Sequence, residues 1–163
     1  MLFMPHEPMA TRFARFAAVS CRIPRAFREG TRRRSLCAGF DAIELRNEDG
    51  TRTDCLNAQY AVEVDYTYKW AEGVGQALYY AELHQRTPGI IFVCHPETTD
   101  ELCEKHVKRA ITILSTYAPQ SVVWSCRHEH VSLDKCEMHT INPELADEGT
   151  SGSNDQQAAL SLN

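Results

Sequence analysis

The chain predicts an α/β domain with a mixed sheet, in the order β-β-β-α-β-α-β with an optional helix in front. Three observations carry this. Short strand-like runs between residues 40 and 65 are separated by strong turn signals. Two helix-period segments, near 69–85 and 100–117, each lead back to a short apolar run. Between them, DCLNAQYAVEVDYTYKWAEGVGQALYY (54–80) passes from a period of two to a period of 3.6, so a strand feeds directly into a helix.

The first strand is predicted over 40–46 (FDAIELR), and Asp49-Gly50 is a hairpin signal. The second, TRTDCL, carries Asp54. A turn at Asn57-Ala58 leads to the third, 60–65, which completes an antiparallel meander. In AVEVD the side chains alternate, with Glu63 and Asp65 on one face and Val62 and Val64 on the other. From Lys69 to Gln85 the helical period puts Lys69, Glu72, Gln76 and Tyr80 within one stripe roughly 80° wide. Trp70, Val74, Ala77, Leu78 and Ala81 form the opposite, core-facing stripe.

Thr87-Pro88-Gly89 reads as a breaker before a doubly buried strand, IIFVC at 90–94. A second helix is capped by Thr99 or Asp100 and runs to about Tyr117. SVVWSC at 121–126 is the last predicted strand. Two helical crossovers imply a mixed sheet whose last strands are wholly covered.

With 163 residues the chain divides into a basic leader (1–36), one domain (37–127) and an irregular, mostly disordered tail (128–163). No run approaches the eighteen apolar residues of a membrane span, which excludes a transmembrane segment. The charge is asymmetric: residues 1–34 carry +6, all from arginine, and the remainder −11. The leader reads as a disordered or mis-started segment, a secretory leader or a transit peptide. Its RRR run at 32–34 has the charge to touch phosphates, and AFREGTRRRSLC suits a short helix before the core.

Seven cysteines cannot all pair within the chain. The first expectation is a cytoplasmic protein with reduced, mostly buried thiols. The alternative is an exported one with disulfides such as Cys37–Cys55 and Cys126–Cys136. Cys126, His128, His130, Cys136 and His139 are zinc ligands by type, although their spacing fits no standard finger or ribbon. His95, after a strand end, is a candidate for lining a cleft.

The chemistry concentrates at the central strand–helix junction. Asp54 and Glu63 on adjacent strands can meet at one point, and Mg²⁺ or Mn²⁺ needs only one or two protein carboxylates. A backbone carbonyl at 64 or the Asp65 carboxylate would complete such a site. The expected metal ligands are therefore Asp54 and Glu63, with Asp65 and Lys69 as further catalytic groups. Lys69 stands one turn beyond the strand end, where an ammonium can orient water or stabilise developing charge.

The pattern D54-x8-E63-x-D65, on a strand pair followed by an amphipathic helix, resembles the PD-(D/E)XK nuclease superfamily. Q76-x-x-x-Y80 is similar to a helix motif of its lambda-exonuclease and recombination-nuclease branch. The longer string DGTRTDCL…AVEVDYTYKWAEGVGQALYYA…PGIIFV resembles a group of small, mostly uncharacterised bacterial proteins assigned to the same superfamily. The resemblance covers about 37–126. It implies a restriction-endonuclease-like core, (α)βββαβ followed by αβ, and metal-dependent hydrolysis of phosphodiester bonds in DNA. Asp54 and Glu63 would be metal ligands; Gln76 and Tyr80, with Glu72 beside them, would contact substrate or water; Glu44 would be an accessory acid.

One departure stands out: the family's lysine place, two residues after the glutamate, holds Asp65. Either Lys69 supplies the ammonium from the helix, or Asp65 acts as an acidic substitute, or catalysis is lost and the fold serves as a binding or interaction module. By composition alone the same residues read as solvated i,i+3 and i,i+4 pairs on an exposed helix face.

Overall fold

A computed structural model describes residues 25–142. The chain runs α1 (Arg25–Leu36), β1 (Ala42–Arg46), β2 (Arg52–Leu56), β3 (Tyr60–Tyr66), a 3-10 turn (Thr67–Lys69), α2 (Trp70–His84), β4 (Thr87–Val93), α3 (Asp100–Tyr117), β5 (Val122–Cys126), a second 3-10 turn (Leu133–Lys135) and β6 (Glu137–Thr140). All six strands form one mixed sheet in sequential order. β1–β2–β3 is antiparallel, β3–β4–β5 is parallel, and β6 returns antiparallel to β5. The class is α/β, as the alternation of periods predicts.

Both early turns form for the reasons visible in the sequence. Gly50 takes φ 84°, and Asp49 Oδ1 accepts from the Thr51 amide (3.0 Å) and hydroxyl (2.7 Å). Asn57 Oδ1 accepts from the amides of Gln59 (2.9 Å) and Tyr60 (2.7 Å). Thr99 caps α3 by accepting from the Leu102 amide at 3.3 Å.

Because β3, β4 and β5 advance in one direction across the sheet, right-handed crossovers put α2 and α3 on the same face. There Val74, Ala77, Val107, Ala110 and Leu114 bury Ile90, Phe92 and Val123. The other face packs Val62, Val64, Ile91, Val93 and Trp124 beneath Leu36 and Cys37 at the end of α1. The alternation of AVEVD is thus realised, with its valines in the α1-side core.

Four expectations need correction. α2 starts at Trp70, not Lys69, because the chain first makes a 3-10 turn; it ends at His84, with Gln85 in the left-handed conformation (φ 52°) as its cap. α2 stops before Thr87-Pro88-Gly89 as expected, but the strand predicted over 90–94 starts earlier, so that these three residues begin β4 (Thr87–Val93). Pro88 precedes the first β4–β5 pair, Gly89 with Val122, so its missing N–H removes no bond to β5. Gly89 is required there, since a Cβ would stand 2.7 Å from Val62 Cγ2. Residues 137–140, read as irregular, form β6; EMHT is short, polar and mostly exposed, so periodicity could not show it.

The fourth correction concerns the cysteines. Instead of reduced thiols, the six described cysteines form Cys37–Cys55, Cys94–Cys103 and Cys126–Cys136, with Cα–Cα distances of 5.5, 5.6 and 4.5 Å. Two of these pairs were among the sequence alternatives. Among the described residues no helix is long and apolar enough to cross a membrane. The leader before Arg25 and the tail beyond 142 lie outside the described residues.

Candidate active site

Strand register builds the site. β1 pairs Ile43 with Cys55 and Leu45 with Thr53, which leaves Glu44 across from Asp54. β2 pairs Cys55 with Val62, and one step further along the register Asp54 faces Glu63. Three carboxylates therefore form a row across three strands. The ladder is interrupted at this row. Glu44 adopts φ 55°, uncommon for a non-glycine residue, and the Val64 amide donates to Asp54 Oδ2 (3.1 Å).

Asp65, two residues beyond Glu63, shares its face, and its oxygen accepts from the Tyr66 amide at 2.8 Å. α2 closes over the row and brings Glu72, Gln76 and Tyr80 down onto it. The Tyr79 hydroxyl donates to the Asp49 carboxylate and ties the helix to the β1–β2 turn. The result is a cavity of about 390 Å³ whose walls include Asp54, Glu63, Asp65, Lys69, Glu72, Gln76 and Tyr80. All seven residues singled out in the sequence meet in one place. Glu44, at the β1 end of the row, does not line the cavity and is held by the arginines.

The charges in this row are unequally compensated. Burial pushes Glu44 up, but Arg34, Arg52 and Arg33 outweigh it and hold the carboxyl below its ordinary range. Its oxygens lie 3.1 Å from Arg34 Nη2, 3.5 Å from Arg52 Nη1 and 3.6 Å from Arg33 Nη1. Asp54, 2% exposed, pairs with Arg33 Nε at 2.8 Å and Arg52 Nε at 3.9 Å. Burial still raises it to about 6.

Glu63, 7% exposed, makes no ion pair or side-chain hydrogen bond with a described residue. Burial first, then the Asp54 charge, pushes it up to about 8. Asp65 is raised by burial, against the Tyr66 amide and Lys69. Tyr80 is raised by burial and by Glu63, so its hydroxyl keeps its proton.

Lys69 reaches the cavity wall, but its ammonium lies between Asp65 (3.8 Å) and Glu72 (3.7 Å) rather than between Asp54 and Glu63, and its side chain is 43% exposed. Asp65, and to a lesser degree Glu72, raises its pKa, so it remains a cation.

Sequence reasoning missed Arg46 and Arg52, which line the same cavity, and named Arg33 only as part of the RRR run, not as a member of this site. Arg33 was legible through a longer chain of inference. It sits four residues before Cys37 on one helix face. A Cys37–Cys55 bond anchors that face beside Asp54, and Cys37 Sγ lies 3.6 Å from the Asp54 carbonyl oxygen.

The zinc alternative does not survive. Cys126 and Cys136 are bonded to each other, and among the described residues no group of three or more His, Cys, Asp or Glu side chains is gathered to hold a metal ion. The carboxylate row is likewise no such group among the described residues, and Asp54 and Glu63 offer two carboxylates at most. Such a pair still suits a divalent cation that keeps most of its shell as water. The donor set fits on one observation in particular. Glu63 is a buried, unpartnered carboxylate facing a second buried carboxylate, a charge conflict that a dication relieves.

Comparisons with family models, curated proteins and solved structures return no match, so the reading rests on the site's own geometry.

Proposed function

We propose that this protein is a metal-dependent nuclease that hydrolyses phosphodiester bonds in DNA, with a restriction-endonuclease-like core of the PD-(D/E)XK type. The observation that carries the reading is Glu63, buried with no ion-pair partner among the described residues and facing Asp54 in a cavity rimmed by arginine and lysine. Buried, mutually repelling carboxylates are a feature of catalytic sites more than of structural ones.

Asp54 and Glu63 would hold Mg²⁺ or Mn²⁺, and the cation would polarise the phosphoryl oxygen and supply hydroxide at neutral pH. The protein's own groups do the rest. Arg33 and Arg52 are placed to take a phosphate oxygen if they yield Asp54. Lys69, held by Asp65 and Glu72, presents a fixed positive charge to the negative charge that develops in the transition state. Tyr80 donates a hydrogen bond from the cavity floor, and Gln76 stands one turn before it on α2. The three disulfides favour an oxidising compartment over a reducing cytosol, and so the exported alternative.

A second reading has its own observation. Arg33 is ion-paired to Asp54 at 2.8 Å, where a cation would bind, and Lys69 is engaged by Asp65 and Glu72. A catalytically inactive module of the same fold, used for binding or interaction, would look the same.

Cleavage of labelled single- and double-stranded DNA in Mg²⁺ or Mn²⁺ separates the two. Under the nuclease reading, Glu63→Ala falls to background and Lys69→Ala loses about 100-fold. If the folded wild-type protein cleaves neither substrate and binds no divalent cation, the module reading replaces it.

A further inference from the structure

A second, smaller cavity of about 130 Å³ opens beside the carboxylate site and shares Arg33, Val64, Asp65 and Lys69 with it. Its outer wall is aromatic. Tyr66 and Tyr68 stack with ring centroids 5.5 Å apart and planes 11° from parallel. His95 meets both rings edge-on, at 5.0 and 5.9 Å. Tyr68 is nevertheless 50% exposed. Arg32 lines the same cavity and makes no hydrogen bond or ion pair with any described residue.

A held aromatic ring with open area, a guanidinium with no partner among the described residues and a junction with a carboxylate site are three separate observations with one common ligand. An unpaired nucleobase stacks on an aromatic ring whatever its identity, while its flanking phosphate takes a free arginine. In a duplex the bases are stacked on one another and their faces are closed to such a ring. The same wall has no use for an intact double helix.

We infer that Tyr68, supported by Tyr66 and His95, and Arg32 form a base-and-phosphate subsite, and that the strand led into the carboxylate cavity is single-stranded nucleic acid. This rests on the nuclease reading only for the class of ligand. The stacking ring holds the base beside the cavity, Arg32 takes the adjoining phosphate, and the next phosphate lies toward Asp54 and Glu63.

The test is equilibrium binding of the full chain to a labelled single-stranded oligonucleotide and to its blunt duplex, with Ca²⁺ in place of Mg²⁺ and probe integrity checked by gel. The expected result is tighter binding to the single strand. Tyr68→Ala should weaken it about tenfold or more, and Tyr68→Phe should retain it. Arg32→Gln should reduce the slope of log affinity against log salt by about 0.7, one phosphate contact on a single strand.

Equal or tighter binding to the duplex, or a Tyr68→Ala protein that binds the single strand like wild type, overturns the inference. A Tyr68-dependent single-strand preference in a protein that cleaves nothing leaves the inference standing and removes the nuclease reading. Cleavage lost in Glu63→Ala but indifferent to Tyr68 in binding does the reverse.

Discussion

Replacing Glu63 by glutamine should stabilise the protein at neutral pH while abolishing its response to metal. Glu63 is almost fully buried, has no described ion-pair partner and faces Asp54, so its carboxyl rises from 4.5 to about 8. Between those values the native state holds a proton that the unfolded chain has released. Stability therefore falls as pH rises, by about 1.4 kcal/mol per pH unit. At pH 7 the accumulated penalty is about 3 kcal/mol. Asp54, raised to about 6, acts in the same direction between its ordinary 3.8 and that value. Glutamine has the same shape and never ionises.

For a domain of this size, about 3 kcal/mol corresponds to roughly 10 °C in melting temperature. Melting curves by circular dichroism in EDTA at pH 5, 6, 7 and 8 should show Glu63→Gln diverging upward from wild type as pH rises and nearly coinciding with it at pH 5. Mg²⁺ or Mn²⁺ at pH 7 should then raise the wild-type midpoint, because a ligand that binds only the native state stabilises it, and leave the variant unmoved. A variant that melts at or below wild type at pH 7, or a difference independent of pH, would refute the argument that Glu63 is an uncompensated buried charge.

Arg33→Gln removes the guanidinium closest to Asp54. It should destabilise the protein by about 2 kcal/mol at pH 8, where a buried carboxylate loses its partner, and by less below pH 6, where Asp54 takes up a proton instead; denaturant melts at the two pH values check it. Gly89→Ala places a methyl 2.7 Å from Val62 Cγ2 and 3.2 Å from Trp124 Cζ3 in the middle of the sheet. A loss of about 1–3 kcal/mol in chemical denaturation is expected, with the disulfides intact in both proteins.

The parts of the fold that were legible are those where chemistry is local. Asp49-Gly50, Asn57 and Thr99 announce their turns and cap through their own side chains. Val62/Val64 against Glu63/Asp65 announces two faces in five residues. Pro88 marked the stop of α2 correctly but hid the start of β4, because a proline is tolerated in a strand according to where the neighbouring strand begins, which is a tertiary fact. β6 was hidden because an edge strand of four residues, mostly polar and exposed, carries no period. At the site, every residue predicted on β2, β3 and α2 converged, since a strand–turn–helix unit fixes their relative directions. The arginines did not announce themselves: Arg33, Arg46 and Arg52 reach the row from α1, the end of β1 and the start of β2, and a charge run reads the same whether it is solvated or buried against acids.

The pattern of compensation bears on what the row is for. If Glu44, Asp54 and Glu63 were there only to hold α1 to the sheet, three arginines could neutralise all three. Instead Glu44 is met by Arg33, Arg34 and Arg52, and Asp54 by Arg33 and Arg52. Glu63 alone in the row lacks a described partner, at a cost to stability that rises with pH. The Cys37–Cys55 bond makes this arrangement rigid, because it fixes the α1 face that carries Arg33 beside Asp54. A carboxyl that gives up its proton only at a cost, beside a covalently braced set of ion pairs, is a position where a bound cation would be favoured over a proton. Arg33 and Arg34 of α1, with Arg52 of β2, thus compensate Glu44 and Asp54 and leave Glu63 without a described ion pair.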